Sequence, residues 1–117
     1  MRDCLRALTL VLIAPLCGCS LPEQRADFAS DDPGERVNAA ARAARDGDKS
    51  KARELVECLE SSDAALRLVA SRALFEMNSG ETFGYDHTLP ATRQPEQMKR
   101  WRAWADLQKG KAERPGS

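Results

Sequence analysis

Three copies of one helical pattern make up DPGERVNAAARAARDGDKSKARELVECLESSDAALRLVASRALFEM, residues 32–77. In each copy, apolar residues recur at i, i+3, i+4 and i+7, the spacing that places side chains on one face of an α-helix. The copies are Val37, Ala40, Ala41 and Ala44; Ala52, Leu55, Val56 and Leu59; and Leu66, Val69, Ala70 and Ala73, extended by Leu74 and Met77. The stretch therefore predicts three helices, each with one buried face.

Capping residues separate these helices. Asp32-Pro33-Gly34-Glu35 predicts a helix start, with Asp32 as the N-cap, Pro33 at the first helical position and Glu35 completing a capping box. In Asp46-Gly47-Asp48, Gly47 can end the first helix in a left-handed conformation and Asp48 can cap the second. Ser61-Ser62-Asp63 ends the second helix and caps the third, and Asn78-Ser79-Gly80 stops the third.

The first and third helices match each other at an offset of 29 residues, from Val37 to Leu66. This spacing covers two helices and two turns, which is typical of a stacked helical repeat. Residues 31–77 resemble the short HEAT-like repeats also found in phycobilisome lyase subunits, with an Asp-Pro start, an Arg/Ala-rich helix, a Gly-Asp turn and a Leu-rich helix. The resemblance implies an all-α superhelix of about two helix pairs and protein binding, without implying lyase activity.

The C-terminal part has a different composition. Thr82-Phe83-Gly84-Tyr85-Asp86 predicts an aromatic loop, and a final helix is expected from Pro95 to Gln108 with Met98, Trp101 and Ala105 on one face and Trp104 on its flank. The FGYD and WRAW motifs together resemble a C-terminal capping element of bacterial HEAT-like proteins. We expect Phe83 or Tyr85 to pack against Trp101, because a terminal repeat needs a cover. The predicted repeat domain spans residues 32–109, and residues 110–117 are expected to be a disordered tail.

The N-terminus has the features of an export signal. Arg2 and Arg6 precede an uncharged, mostly apolar run, Ala7 to Leu16, which is shorter than the roughly 20 residues of a membrane span. Leu16-Cys17-Gly18-Cys19 resembles the bacterial lipobox. The resemblance implies a signal peptide over residues 1–18, cleavage before Cys19 and lipidation of the Cys19 thiol. Residues 19–31 are then a lipidated tether, in which Phe28 is the one large aromatic side chain.

Lipidation would place the chain in the cell envelope. Ser20 follows the cysteine, and in Gram-negative bacteria a residue other than Asp there implies the outer membrane, facing the periplasm. Cys58 would be the one cysteine left with a free thiol, since Cys4 and Cys17 leave with the signal. The membrane, reached through the anchor at Cys19, is therefore one predicted partner.

Charge and composition argue against several classes of ligand. Lys and Arg number 18, as do Asp and Glu, so no net field attracts nucleic acid, and we expect no nucleic-acid partner. No cofactor is expected. We expect no metal either, because zinc needs three or four ligands and Cys58 and His87 supply two candidates. The aspartates at 31–32 and 46–48 lack the ligand spacing of a calcium loop and are better explained as caps.

Catalysis is not expected. His87 beside Asp86 could act as a general base, but no nucleophile stands in a recognisable motif with it. Cys58 is expected to border the core as a small apolar group. Arg42, Arg45, Arg53, Arg67 and Arg72 are expected on solvated faces, with a ridge facing a partner as the alternative.

The sequence favours a non-enzymatic, membrane-anchored module that binds an unidentified protein. Candidate binding residues are Trp104, Tyr85 and Arg67. Trp101 is expected in the core, whereas core and surface placements of Trp104 are about equally supported. One alternative is an accessory or lyase-like factor with a small pocket near residues 83–87, where Tyr85, Asp86, His87 and Trp104 would converge. The other is a purely structural envelope lipoprotein.

Overall fold

The computed structural model describes residues 25–112, with side chains up to residue 111. Within this range the chain forms four α-helices and no strand: α1 (Pro33–Asp46), α2 (Ala52–Cys58), α3 (Ala64–Met77) and α4 (Pro95–Ala112). Two short 3₁₀ turns, Lys49–Lys51 and Ala91–Arg93, precede α2 and α4. The predicted all-α class is confirmed. The signal peptide, the lipobox and Cys19 lie outside the described residues.

Helix α1 starts where the sequence predicts. Asp32 has an extended backbone, and its side chain accepts a hydrogen bond of 2.8 Å from the Gly34 N–H. The predicted capping box, however, is not formed by Glu35. The Asp32 N–H donates instead to Ser30 Oγ at 3.1 Å.

The junction from α1 to α2 also follows its sequence signals. Gly47 ends α1 with φ at 59°, a left-handed conformation that glycine adopts without a Cβ clash. Asp48 then accepts from the Ser50 N–H at 3.0 Å. Asp48 is therefore the N-cap of the 3₁₀ turn Lys49–Lys51, and helix α2 itself begins at Ala52.

Helix α3 is bounded as predicted. Asp63 accepts from the Ala65 N–H at 2.9 Å at the start of the helix. After Met77, Ser79 and Gly80 both have positive φ, and the Gly80 N–H donates to the Phe75 carbonyl at 2.8 Å. This turn reverses the chain and places Gly80 against the Phe75 ring.

Helix α1 packs along α3, and α2 packs against both α3 and α4. Helix α2 therefore contacts both of the helices that follow it in the chain, α3 and α4. Six large side chains are fully buried between the helices: Leu55, Leu59, Leu66, Leu74, Met98 and Trp101. The predicted core faces of α2 and α3 are confirmed, with Val69 only partly buried.

The predicted core face of α1 is confirmed in part, because Ala40 is buried and Val37 and Ala44 pack against the core partly buried. Ala39, Ala40 and Ala43 are buried, whereas Ala41, which was expected inside, is exposed. The run Asn38 to Ala44 is almost entirely alanine, so apolar spacing alone fits more than one face. Only the larger side chains of α3 decide which alanines face inward.

The described residues before α1 pack against it. The Asp27 N–H donates to the Glu35 carbonyl at 3.1 Å, and Asn38 Nδ2 donates to the Arg25 carbonyl at 3.1 Å. Phe28 is partly buried and contacts the core cluster, so it covers part of this end of the helix stack.

Helix α4 continues beyond its predicted end at Gln108 and reaches Ala112. Gly110 was expected to lie in a frayed tail, but it occupies a helical position where no neighbour crowds a Cβ. Lys109 and Lys111 lie in the last turn, where positive charge interacts favourably with the helix dipole. No helix within residues 25–112 has both the length and the apolar character of a membrane span.

Candidate functional site

Trp101 is the centre of an aromatic cluster at the C-terminal end of the helix stack. Its ring is 1% exposed and meets Phe83 edge-on, with ring centroids 4.8 Å apart, and Trp104 at 5.4 Å. The indole Nε1–H donates to the Thr82 carbonyl at 3.1 Å. The expectation that Phe83 or Tyr85 packs against Trp101 is confirmed for Phe83. Residues 82–87 are called the aromatic loop below.

Phe83 adopts an uncommon backbone conformation. Its φ is 54°, in the left-handed region that costs a non-glycine residue roughly 1 kcal/mol or more. The Phe83 N–H donates to Glu81 Oε1 at 2.8 Å, and the ring lies against Trp101. These contacts offset the backbone strain and turn the Phe83 ring into the stack.

Arg67 fastens the aromatic loop to the turn between α2 and α3. Its guanidinium is almost entirely buried, donating from Nε to the His87 carbonyl at 3.0 Å and from Nη1 to the Ser61 carbonyl at 2.8 Å. No carboxylate of residues 25–111 forms an ion pair with it. The expectation that Arg67 lies on a solvated face is therefore wrong. Its buried guanidinium stabilises the fold by joining two backbone segments.

Tyr85 makes a second bond between the same two segments. Its hydroxyl donates to the Leu59 carbonyl at 2.9 Å. Burial raises the pKa of Tyr85 to about 12, with a smaller contribution from nearby Asp86, while the Arg67 charge opposes the increase. The phenol therefore stays protonated at neutral pH and acts as a fixed hydrogen-bond donor.

Gln94 holds the same loop from its C-terminal side. Its buried side chain accepts from the Asp86 N–H at 2.7 Å and donates to the carbonyls of Asp86 at 2.7 Å and Leu89 at 3.1 Å. Gln94 could not be singled out from the sequence, because an isolated Gln before a proline carries no motif.

An open groove of about 420 Å³ lies between α3 and the aromatic loop. We call it the α3 groove. Its lining residues are Leu68, Ser71, Arg72, Phe75, Thr82, Tyr85, His87 and Trp101. Leu68 and Phe75 remain 36% and 42% exposed, although both are large and apolar. They lie on the side of α3 turned away from the core, seven residues apart and hence on one helical face.

The one charged side chain that lines the α3 groove is that of Arg72. Arg72 is exposed and has no ion pair with any residue that the structure describes, and His87 lies across the groove from α3. No Asp or Glu lines the groove. This composition differs from that of the whole chain, in which acidic and basic residues balance.

The predicted site residues do not converge in one place. Tyr85 and His87 line the α3 groove, but Trp104 packs on Trp101 and does not line it. The Asp86 carboxylate is exposed and accepts from Thr88 Oγ1 at 2.6 Å and from the Thr88 N–H at 2.9 Å. Those two bonds lower the pKa of Asp86. The structure therefore places no Asp86–His87 hydrogen bond in the groove.

Cys58 lies in the core, as expected. Burial raises the pKa of its thiol to about 11, the nearby Arg36 charge opposing the shift and Glu57 and Glu54 adding to it. At neutral pH it is a protonated thiol rather than the nucleophilic thiolate. Across residues 25–111, no three His, Cys, Asp or Glu side chains come together in a way that could hold a metal ion.

Two of these features, the buried Arg67 and the exposed pair Leu68 and Phe75, have recognisable patterns in the sequence. Arg67 follows its capping Asp63 by four residues, as Arg36 follows Asp32, so both helices place an arginine at the same position after the cap. The two caps are 31 residues apart, rather than the 29 inferred from apolar spacing. Leu68 and Phe75 also form an apolar pair outside the core stripe of α3.

Comparisons of the chain with protein-family models, with curated proteins and with solved structures give no match.

Replacing Arg67 with Met should destabilise the domain by about 2 kcal/mol, because two partly buried carbonyls lose their charged donor. Urea unfolding followed by circular dichroism measures this difference. Hydrogen exchange should also accelerate in the aromatic loop. Arg72→Met is the matched control, since Arg72 is exposed and unpaired, and we expect it to change stability by less than about 0.5 kcal/mol. Equal effects of the two substitutions would contradict the role assigned to Arg67.

Tyr85 is the one tyrosine of the chain, so phenolate absorbance reports its ionisation directly. We expect a midpoint at about pH 12 in the folded protein, against about pH 10 in urea. Because the folded state holds the proton more tightly, its contribution to stability is complete below pH 10 and is lost between pH 10 and 12. Tyr85→Phe should abolish the titration. A native midpoint at the unfolded value would show that Tyr85 is not buried against Leu59.

Proposed function

We propose that this protein is a lipid-anchored, non-enzymatic module that binds another protein through the α3 groove. The observation that carries the proposal is the exposure of Leu68 and Phe75 in a groove whose opposite wall is fixed in place. Large apolar side chains left together on a monomer's surface commonly mark an interaction site.

The fixed wall favours binding. Three side chains, Trp101, Arg67 and Tyr85, connect the aromatic loop to neighbouring elements, and each bond involves a backbone carbonyl. A loop held in this way loses little conformational freedom when a partner binds. The free energy of the new contacts is then not offset by the cost of ordering the loop.

The HEAT-like arrangement is part of the proposal. Its support is the packing of α1 along α3 and of α2 against α4, since corresponding helices of successive repeats lie side by side in such stacks. The recurrence of Asp and Arg four residues apart at the start of α1 and α3 supports it too. Stacks of this kind commonly act through extended surfaces that bind proteins.

The anchor is proposed from the N-terminal sequence alone. Cleavage before Cys19 and acylation of its thiol would hold the module at the cell envelope, facing the periplasm in a Gram-negative cell. Each buried methylene of an acyl chain contributes ~0.8 kcal/mol, so two or three chains on one residue hold durably. The short segment after Cys19 would keep the helical domain within about 40 Å of the membrane surface.

An accessory enzyme factor working at the 83–87 loop has weaker support. Such a factor would need a group free to accept or donate a proton in the groove. The Tyr85 hydroxyl is bonded to the Leu59 carbonyl, and the Asp86 carboxylate is bonded to Thr88. His87 lines the groove, but no described carboxylate hydrogen-bonds to its ring to orient it as a general base. A purely structural lipoprotein would have no use for a preformed apolar groove.

Photo-crosslinking in living cells tests the binding function. A benzophenone amino acid introduced in place of Phe75 should give protein adducts of discrete mass, because the Phe75 position would face the partner. Leu107 is the matched control position, since it is an even more exposed large apolar residue, at 65%, and lies outside the α3 groove. Adducts of equal yield at both positions, or none at position 75, would refute the proposed interface.

Counting thiols tests the anchor. In the processed and lipidated protein, Cys58 would carry the only free thiol, and it is buried. A maleimide should therefore label almost none of the native protein purified from membranes, and one thiol per chain after unfolding. Rapid labelling of the native protein would indicate a free Cys19, and a mass spectrum without acyl groups would refute lipidation independently. Cys58→Ser, labelled after unfolding, is the control and should show no reactive thiol.

A further inference from the structure

Along α3, the side chains that line the α3 groove are apolar at the two ends and polar or charged between them. Leu68 and Phe75 are seven residues apart, which corresponds to about 10 Å along the helix axis. Arg72 lies between them, four residues after Leu68 and three before Phe75. All three side chains line the groove, so one positive charge stands between two apolar contacts on the same helical face.

The electrostatics of the groove select an acidic ligand. Arg72 has no carboxylate partner among the described residues, and the other ionisable side chains of the lining are His87 and the protonated Tyr85. A ligand carboxylate placed between two apolar contacts would meet the Arg72 guanidinium in a charge-assisted hydrogen bond. The Asp86 carboxylate, which interacts electrostatically with Tyr85 and His87, does not line the groove and is already bonded to Thr88.

We propose that the α3 groove binds an acidic amphipathic helix of a partner protein, with a carboxylate facing Arg72 and apolar side chains on Leu68 and Phe75. This inference rests on the proposed function and specifies its ligand. A helix that runs beside α3 repeats its side chains at the same interval, so apolar residues at i and i+7 and an Asp or Glu at i+3 or i+4 fit the three groups. Trp101 and Tyr85 also line the groove.

Two other occupants fit the groove less well. A second copy of the chain would need a face of roughly 800 Å² per partner for a stable dimer, whereas the exposed apolar groups here are two side chains in one groove. A lipid acyl chain prefers a wholly apolar channel. The α3 groove instead includes the hydroxyls of Ser71 and Thr82, which can accept hydrogen bonds from a peptide.

Peptide display tests the proposal. The protein, purified from membranes in detergent, is used to select from a phage-displayed library of random peptides. We expect enrichment of Asp or Glu between Leu, Phe or Met residues at helical spacing. Arg72→Glu should reverse the enrichment toward Lys or Arg at the same position. The selected peptide should bind Arg72→Gln about fivefold more weakly and Phe75→Ala more than about tenfold more weakly.

The controls separate binding from folding and from the other occupants. Leu107→Ala should bind the peptide as the parent protein does, and circular dichroism should show the same helix content in every variant. Peptides without acidic enrichment, or the same enrichment on Arg72→Glu, would overturn the proposal. So would Arg72-dependent binding of phosphatidylglycerol vesicles in place of peptides, or a dimer in sedimentation that Phe75→Ala dissociates.

The outcomes also distinguish this inference from the function on which it rests. If position 75 crosslinks to a protein in cells but selection shows no acidic preference, the interaction function stands and the acidic-helix inference fails. If position 75 gives no protein adduct and selection enriches nothing, both fail.

Discussion

The bond from the Arg67 guanidinium to the His87 carbonyl is the contact on which the C-terminal half of the structure depends. Residues 78–94 connect α3 to α4 with no more regular structure than one 3₁₀ turn, and such long connections are usually mobile. Here Arg67 joins this connection to the Ser61 carbonyl, just after α2. The loop thereby becomes a wall of fixed position, and both the cover of the helix stack and the α3 groove follow from it.

A buried arginine without a carboxylate partner needs another source of negative charge. Its guanidinium meets the carbonyl of Ser61 just beyond the C-terminal end of α2, where the helix dipole places partial negative charge. The Leu59 carbonyl in the same turn accepts the Tyr85 hydroxyl instead. The two donors therefore share the acceptors of one turn, so the end of α2, the start of α3 and the aromatic loop are fixed together.

Much of the fold could be predicted from local signals, because caps and apolar spacing act within a few residues. Asp32, Gly47 and Asp63 perform the roles that their types and positions predict. The inner face of α1 could be predicted only in part, since Ala41 and its neighbours are nearly identical and the partner helix selects among them. The groove also escaped prediction, because it requires Thr82 and His87 to lie beside Phe75, and those contacts depend on side-chain bonds between distant segments.

Helix α3 carries more apolar surface than the core needs. Leu66, Leu74 and Met77 already fill its inner side, and yet Leu68 and Phe75 stand on the outer side against the aromatic loop. A domain of this size obtains limited stability from its core. Apolar side chains left exposed add little to that stability, and they carry a risk of aggregation. Their presence opposite a wall that Arg67 holds in place is the feature that the proposed partner would cover. That partner would add apolar burial to a small core, so binding and stability would be coupled through α3.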